Sequence, residues 1–567
     1  MATVSRVIPT TKSPDIVTFG IKVEGTEIPK DISVTQITVM RELNRIPSAK
    51  LRISDGNPSA ETYELSDGEL FLPGKKIEIS IGYRSDNKLL FKGIIITHSG
   101  RFINKKPELV IECRDEAVKM TIGKKFKHYN DVKDSDIAEE LIGLYSGLSK
   151  DVEATTITHK DIVQYNLSDW DFMLSRMDSI GNVCLVQDGK ITIKKPDLSG
   201  TTVLDVLFGA TIVEHQVEMD ARLQYKVKAH SWDYSGQEVK EGEATEPAIS
   251  KEPGDLAASD LEAVIGLDNY NLVYGGKLSE EELQAWASSK LQKQRLAKIR
   301  GRAKFMGFPD VLPNTFISLN GVGARFTGAV FVNGVTHEYK DGDWETEVHF
   351  GMSPDWFAES VTHSDPSSGL GMLPSLQGLM FGVVTDIEDP DGEHRVKVKI
   401  PVISTEEEGI WARIATLDAG KERGTFFRPE VDDEVVVGFI GNDPRQMVIL
   451  GMLHSSAIAA PLTAAKANDE KGYVSREKMK FIFNDKEKSI KIETPAGKKI
   501  TISEQDKLIK IEDEDGNKIT MESAGITIEA AKALNLKGGT EVKIDAPNIS
   551  INGSGSTEVK GGVVKIN

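Results

Sequence analysis

From Met479 onward the chain repeats one small pattern: two apolar residues one position apart, then a stretch rich in Gly, Asn, Asp, Lys and Glu. The pairs are Phe481/Phe483, Ile490/Ile492, Ile500/Ile502, Ile509/Ile511, Ile519/Met521, Ile526/Ile528, Leu534/Leu536, Val542/Ile544, Ile549/Ile551 and Val564/Ile566, with Thr557/Val559 as a weaker rung. First members are spaced 9, 10, 9, 10, 7, 8, 8, 7, 8 and 7 residues apart. Alternate residues of a strand share a face, so each pair predicts a short strand with two apolar groups on one side. The residues between are turn formers. A repeat this short cannot bury its own apolar side and must be covered by copies of itself.

Two architectures satisfy that demand: a single-chain solenoid, or three chains that each supply one wall of a triangular prism. A coil that turns three corners takes roughly 20 residues or more, whereas here a corner arrives every 7 to 10 residues. The spacing therefore predicts an intertwined trimeric β-prism, which also removes exposed sheet edges. At about 4.8 Å per rung the prism spans roughly 50 Å. An enzyme's surface meander would carry larger aromatics and a covering helix. The predicted needle core, and so the trimer interface, is Ile490, Ile492, Ile500, Ile502, Ile509, Ile511, Ile526, Ile528, Leu534, Leu536, Val542, Ile544, Ile549 and Ile551. The early steps have long polar turns (Asn484 to Lys488, Asp513 to Lys518) and the later ones tight Gly/Asn corners, which predicts a wide neck tapering into a regular prism.

Upstream the same period-2 alternation returns. Gly382–Ile387, His394–Ile400, Trp411–Ala415, Glu434–Phe439 and Met447–Gly451 read as five short strands, with a turn at Asp389-Pro390-Asp391-Gly392. Five such strands in about 75 residues suit an OB-like barrel. The predicted organisation is an N-terminal block over 1–360, a linker over 361–377, the OB-fold domain over 378–455, a linker or neck over 456–478 and the needle over 479–567. The fold class is mainly β with some α. In the N-terminal block, Ile77 to Ile81 alternates until Gly82-Tyr83 breaks it. Asn166 or Ser168 caps a helix carrying Trp170, Phe172 and Met173, with Trp170 a core residue. Ser279 and Glu282 form a capping box for a helix from about Glu280 to Ile299, with Leu283, Trp286, Leu291, Leu296 and Ile299 on one face. Gly441-Asn442-Asp443-Pro444 reads as a plain turn before the last barrel strand.

Charge and composition narrow the class. The chain carries −18, yet from Met479 on it has 14 Lys against 14 Asp and Glu with no Arg or His, so the acidity lies entirely upstream. A neutral, sign-mixed surface suits a shaft and argues against a basic nucleic-acid tail. Two cysteines, Cys113 and Cys184, imply no disulfide framework. No apolar leader or 18-residue apolar stretch occurs, so synthesis in the cytoplasm without a signal peptide is expected.

The barrel segments "GVVTDIEDPDGEHRVKVKIP", "WARIATLDAG", "RGTFFRPEVDDEVVVGF" and "GNDPRQMVILGML" resemble the OB domain of the VgrG family, the spikes of contractile injection systems, and of phage tail spikes. The points of likeness are Gly392 to Val398, Trp411-x-Arg413, Ala419-Gly420 with Gly424, Pro429 before Glu434-Val435, and Gly441-x-Asp443-Pro444. The short acidic stretch Pro401 to Gly409 departs from that pattern. "RELNRIPSAKLRISDG", "FLPGKKIEISIGY", "LFKGIIITHSG" and "LVIECRDEAVKMTIGKK" are similar to the first hub barrel of extracellular phage-tail-like particles, and "GFPDVLPNTFISLNGVGARFTGAVFVNGVTHEY" to a second.

The resemblance implies a structural homotrimer that adapts a sixfold inner tube to a threefold needle and punctures a target envelope. Implied partners are the inner tube and baseplate proteins, effector cargo, and a PAAR-type tip protein docking on Val563, Val564, Lys565, Ile566 and Asn567. No nucleic acid partner, cofactor or metal is expected, and membrane contact is transient. The protein is expected to act inside an assembled particle, extracellular or cell-anchored. Gly321-Val322-Gly323 with Gly328 lacks the third glycine and the helix of a dinucleotide site. Nucleophile-elbow, zincin and Cys-x-x-Cys motifs are absent, and His residues are scattered. The rival readings are a tail-lysozyme-like cell-wall hydrolase, for which the linker is too short, and a trimeric adhesin stalk.

Overall fold

The computed structural model describes residues 16–566 apart from 104–105, 234–237, 275–276, 362–375, 377, 402 and 404–405. It divides into two units, one reaching Leu453 and the other beginning at His454. The 361–377 linker lies almost wholly outside the described residues, but Leu376 is buried and its N–H donates to the Asn442 carbonyl, 2.8 Å away.

The N-terminal block is built on one 13-stranded sheet rather than two separate ones. Its path runs from Ile212–Met219 through Ile299–Met306, Asp343–Phe350, Gly328–Lys340, Val34–Glu42, Ser48–Ser54, Lys106–Arg114, Asp86–Ile103, Lys76–Tyr83 and Val17–Val23 to Thr26–Glu27. The seam between its halves is the antiparallel pairing of Gly328–Lys340 with Val34–Glu42, from Gly334↔Glu42 to Lys340↔Gln36. Each half keeps its own core. Ile37, Leu51, Ile79 and Ile111 centre one, and Leu204, Phe305, Ile317 and Val348 the other. Lys76–Tyr83 runs straight through Gly82, and the chain reverses at Arg84 and Ser85, both left-handed. Gly82 is there for clearance, because a Cβ would sit 2.0 Å from the Asp86 carbonyl oxygen.

Helices form beside the smaller sheets of the block, where local signals start them. Ser168 caps Asp169–Ser179, its hydroxyl accepting from the Asp171 N–H, and Trp170 is buried. The Ser279/Glu282 capping box opens Glu280–Leu296. That helix ends one turn earlier than its apolar spacing suggested, because Ile299 is claimed by the sheet as the first residue of Ile299–Met306. The Gly321–Gly328 segment is a loop joining the strands Thr315–Asn320 and Gly328–Lys340, with no helix at its end.

Met380–Asp386, Val396–Lys399, Ile410–Ile414, Glu434–Phe439 and Met447–Met452 form a closed barrel, in which the third strand pairs in parallel with the fifth. Numbered along the chain this is the order 1-2-3-5-4-1 of an OB fold. Its core is Val384, Val396, Val398, Ile410, Val435, Val437 and Ile449.

The second unit contains a seven-stranded antiparallel meander: Glu470–Val474, Lys480–Asn484, Ser489–Glu493, Lys499–Ser503, Leu508–Glu512, Lys518–Glu522 and Gly525–Glu529. Its first strand lies in the stretch read as a linker. Described residues beyond Glu529 carry no strand within the chain. The first short step, Ile519 to Ile526, is still a hairpin between Lys518–Glu522 and Gly525–Glu529, so the meander outlasts the change in step length by one rung. Steps of 9 and 10 residues include a four- or five-residue turn that folds each strand back on its predecessor, so the early ladder is a meander within one chain rather than an intertwined prism from its first rung.

Candidate assembly interface

Within the meander the apolar pairs stack in direct register. Phe481 faces Ile492 and Phe483 faces Ile490. Ile490 faces Ile502 and Ile492 faces Ile500. The series continues through Ile500↔Ile511, Ile502↔Ile509, Ile509↔Met521, Ile511↔Ile519, Ile519↔Ile528 and Met521↔Ile526. Twelve side chains of one sheet face therefore form two unbroken apolar columns, with cross-strand pairs as the stabilising unit.

That face is bare. Ile492, Ile502, Ile511 and Ile528 are 46, 44, 44 and 49% exposed. The opposite, polar face is the more sheltered one, with Ser489 and Ser503 each 4% exposed. An ordinary half-buried sheet shows the reverse.

The polar face holds a column of alternating charge. Lys480 faces Glu493, Glu493 faces Lys499, Lys499 faces Glu512, Glu512 faces Lys518, and Lys518 faces Glu529. A one-residue slip of any strand would move its apolar pair to this face and break the column, so both faces specify one register.

Of the remaining predicted rungs, Leu534, Leu536, Val542, Ile544, Ile549 and Ile551 are 52–70% exposed and pair with nothing in their own chain. Val563, Val564, Lys565 and Ile566 are likewise exposed, and Asn567 lies outside the described residues.

A second constellation joins the barrel to the N-terminal block. Arg445, in the loop before the last barrel strand, donates to Glu282 at 3.1 Å and to Asp443 at 3.1 Å. The Tyr274 hydroxyl donates to the same Asp443 carboxylate. Glu282 faces His159 Nδ1 at 3.0 Å, His159 Nε2 lies 2.9 Å from Asp134, and Arg176 Nε donates to Asp134 at 2.8 Å. Every member but Glu282 is at least 93% buried as a side chain or residue. Burial raises the Asp134 carboxyl, but the Arg176 charge and the His159 hydrogen bond outweigh it and hold it at about 2. Burial likewise opposes ionisation of Glu282, and His159 with Arg445 overcomes it, leaving the carboxyl well below its usual range.

Beside this chain of charges lies a cleft of about 360 Å3 between Lys160 and Lys277 of the block and Arg395, Trp411 and Arg445 of the barrel. Strands two and three and the flanking loops form the surface with which OB folds take ligands; here the N-terminal block sits against it. The 441–444 segment is therefore more than a turn, since Asp443 anchors two neighbours. No spacing rule connects Glu282 to a residue 163 positions away. The available hint was an Arg directly after Asp-Pro at the mouth of an apolar strand.

Family comparisons fit these three regions in turn. A model described as the Alg8 N-terminal domain matches residues 13–341, more than half of the chain. The type VI secretion system/phage-baseplate injector OB domain matches 380–454. The phage baseplate V C-terminal trimerisation domain matches 489–566. The chain belongs to the Alg8 N-terminal domain family and is a VgrG-type spike protein.

The spike is 33% identical over 99 residues to the type VI secretion system spike protein VgrG3 of Vibrio cholerae, a match covering 16% of this chain and 9% of that relative. Among solved structures, the half-lidded Francisella PdpA-VgrG complex aligns over 93% of the spike and 89% of its own chain, at 10% identity and a TM-score of 0.54. The lidless PdpA-VgrG complex aligns over 91% and 98%, at 9% identity and 0.54. At such identities the likeness is one of fold. The matches over 380–454 and 489–566 are to an injector OB domain and a baseplate trimerisation domain. Among its described residues no helix is long and apolar enough to cross a membrane.

Proposed function

We propose that three copies of this spike close their bare meander faces on one another, and that the ladder beyond Glu529 continues as a prism with walls from all three chains. The observation that carries this is the inverted sheet, with its apolar columns exposed and its polar face sheltered. Fully burying an exposed apolar side chain of this size is worth about 1.5–3 kcal/mol; those named above are about half covered already, so assembly adds roughly half of that at each, over twelve positions per chain. A face of that kind left in water would aggregate. Three chains covering one another remove both the face and the edges.

In this reading the assembly is a homotrimeric, non-catalytic needle. It adapts a sixfold inner tube to threefold symmetry, meets tube and baseplate proteins at the N-terminal block, and punctures a target envelope. Val563 to Asn567 form the seat for a PAAR-type tip protein, and effector cargo travels with the complex. Its inward residues are those named from the ladder, Ile490 to Ile551. It needs no cofactor, metal or nucleic acid. It acts after incorporation into a contractile particle.

Light scattering of the full chain is expected to return three times the 62.2 kDa chain mass. Ile528→Asp should abolish that species, because three carboxylates in one buried layer each cost several kcal/mol. A monomeric wild-type mass would overturn the reading. So would turnover of peptidoglycan by the purified chain, which would favour the hydrolase.

A further inference from the structure

The outer surface of the barrel carries a second uncovered apolar strip. Leu379, Phe381 and Leu450 are 64, 63 and 49% exposed. Phe381 lies opposite Val436, and Val436 opposite Gly451, the neighbour of Leu450. Gly438 sits in the middle: a Cβ there would come 3.3 Å from Leu379 Cδ2 and 3.4 Å from Leu450 Cδ1. Leu379 and Leu450 thus meet over one glycine, and Phe381, two residues along from Leu379 and opposite Val436, extends the strip, which scattered surface residues do not. The barrel does not need them inside, where Val384, Val398, Val437 and Ile449 already fill the core. Its ligand-type face is taken up by the N-terminal block, so this strip lies on a separate part of the wall.

We infer that the strip is a contact between copies of this chain, each barrel resting on its neighbour in the trimer; the inference rests on the homotrimer proposed above. Size selects the occupant. Three large side chains bury a few hundred Å2, well short of the roughly 1,200 Å2 that holds two freely diffusing proteins together. A separate partner would not stay. A copy tethered through a C-terminal trimerisation segment is present at an effective concentration on the order of millimolar, at which a contact this small is enough. The chain supplies that tether. Leu450 is on the last barrel strand, Met447–Met452, and the trimerisation match begins at residue 489 of the same chain. Around a threefold axis the contact is heterologous, so the strip meets a different surface of the next barrel.

Thiol labelling of full-length Phe381→Cys and Leu450→Cys tests this. The natural Cys113 and Cys184 are both buried and stay silent. Maleimide should react at least tenfold more slowly in the trimer than in the same chain carrying Ile528→Asp, while Lys421→Cys, on an exposed hairpin, reacts equally in both. Fast labelling in both states overturns the contact and leaves the trimer standing. Slow labelling in both also overturns it, because the chain would then be covering the strip itself. A wild-type chain that is monomeric removes the trimer and this contact together. Should Ile528→Asp precipitate, Phe381→Asp with Leu450→Asp replaces it: the trimer should dissociate on dilution at a concentration at least tenfold higher, with an unaltered far-UV spectrum, and an unmoved midpoint overturns the proposal.

Discussion

The barrel and the C-terminal meander use the same residue types in the same alternation and end with opposite faces covered. Val398, Ile410, Val437 and Ile449 are fully buried in the barrel, whereas Ile492, Ile500 and Ile502 of the meander are 39–46% exposed. Closure is the cause. The barrel's fourth strand returns to its first, so its inward side chains cover one another. The meander ends in two edge strands, Glu470–Val474 and Gly525–Glu529, and its sheet does not close on itself. Period-2 alternation states which side chains share a face and leaves open whether the chain itself covers that face.

One substitution made in both places separates the two cases. Ile449→Asp puts a carboxylate into a closed core and should unfold the barrel while the C-terminal unit still associates. Ile502→Asp should leave a folded, monomeric chain. Sedimentation and near-UV dichroism of the two variants check this. If Ile502→Asp unfolded the chain instead, the meander would be packing its face internally and the contrast would be wrong.

The junction charges come next in size. Arg445→Met leaves Glu282 and Asp443 buried without their cation, a loss of about 3–5 kcal/mol for a broken buried pair. Urea unfolding should register it with the oligomeric mass unchanged. Adding Glu282→Gln should recover part of the loss, because the two positions share one interaction.

How much of this was legible depended on whether the cause was local. The five barrel strands, the Ser168 and Ser279 caps and every apolar pair from Phe481 to Ile528 follow from neighbouring residues, and each stands where its pattern placed it. Ile299 sits on the helical spacing but was claimed by a sheet partner, Met219, 80 positions earlier. The early ladder was read as prism because two inward residues per strand look alike whether the next strand belongs to the same chain or another. Asp443 and Arg445 were invisible as a joint because their partners are set by the docking of barrel on block.

Acid should probe the N-terminal block and spare the meander. Burial lowers His128 to about 4 and, with the Arg41 charge, His337 to about 3. The unfolded chain takes up protons below about pH 6.5 while these rings stay neutral, so stability is full above 6.5 and falls as pH drops toward 4 and 3. At 1.36 kcal/mol per pH unit, His128 contributes a loss of about 3 kcal/mol. Asp161 works the other way, since burial raises its carboxyl to about 6, adding stability as pH falls from 6 toward 4. Asp161→Asn should therefore steepen the acid limb of a stability profile between pH 6 and 4. The meander contains no histidine, so trimer mass should hold across that window.

The smallest expected effect concerns the polar face of the meander. Lys499 stands between Glu493 and Glu512, and Lys499→Glu turns two opposite-charge pairs into like-charge pairs. At about 0.2–1 kcal/mol per cross-strand pair, the change should cost roughly 1 kcal/mol per chain and shrink in high salt. Lys499→Gln removes the attraction without adding repulsion and should cost about half as much. The ratio of the two variants carries the information. If the column serves only solubility, both substitutions would be equally harmless. If it pins register, the charge reversal must cost more, and the excess must vanish with salt while the apolar columns on the other face keep the strands paired.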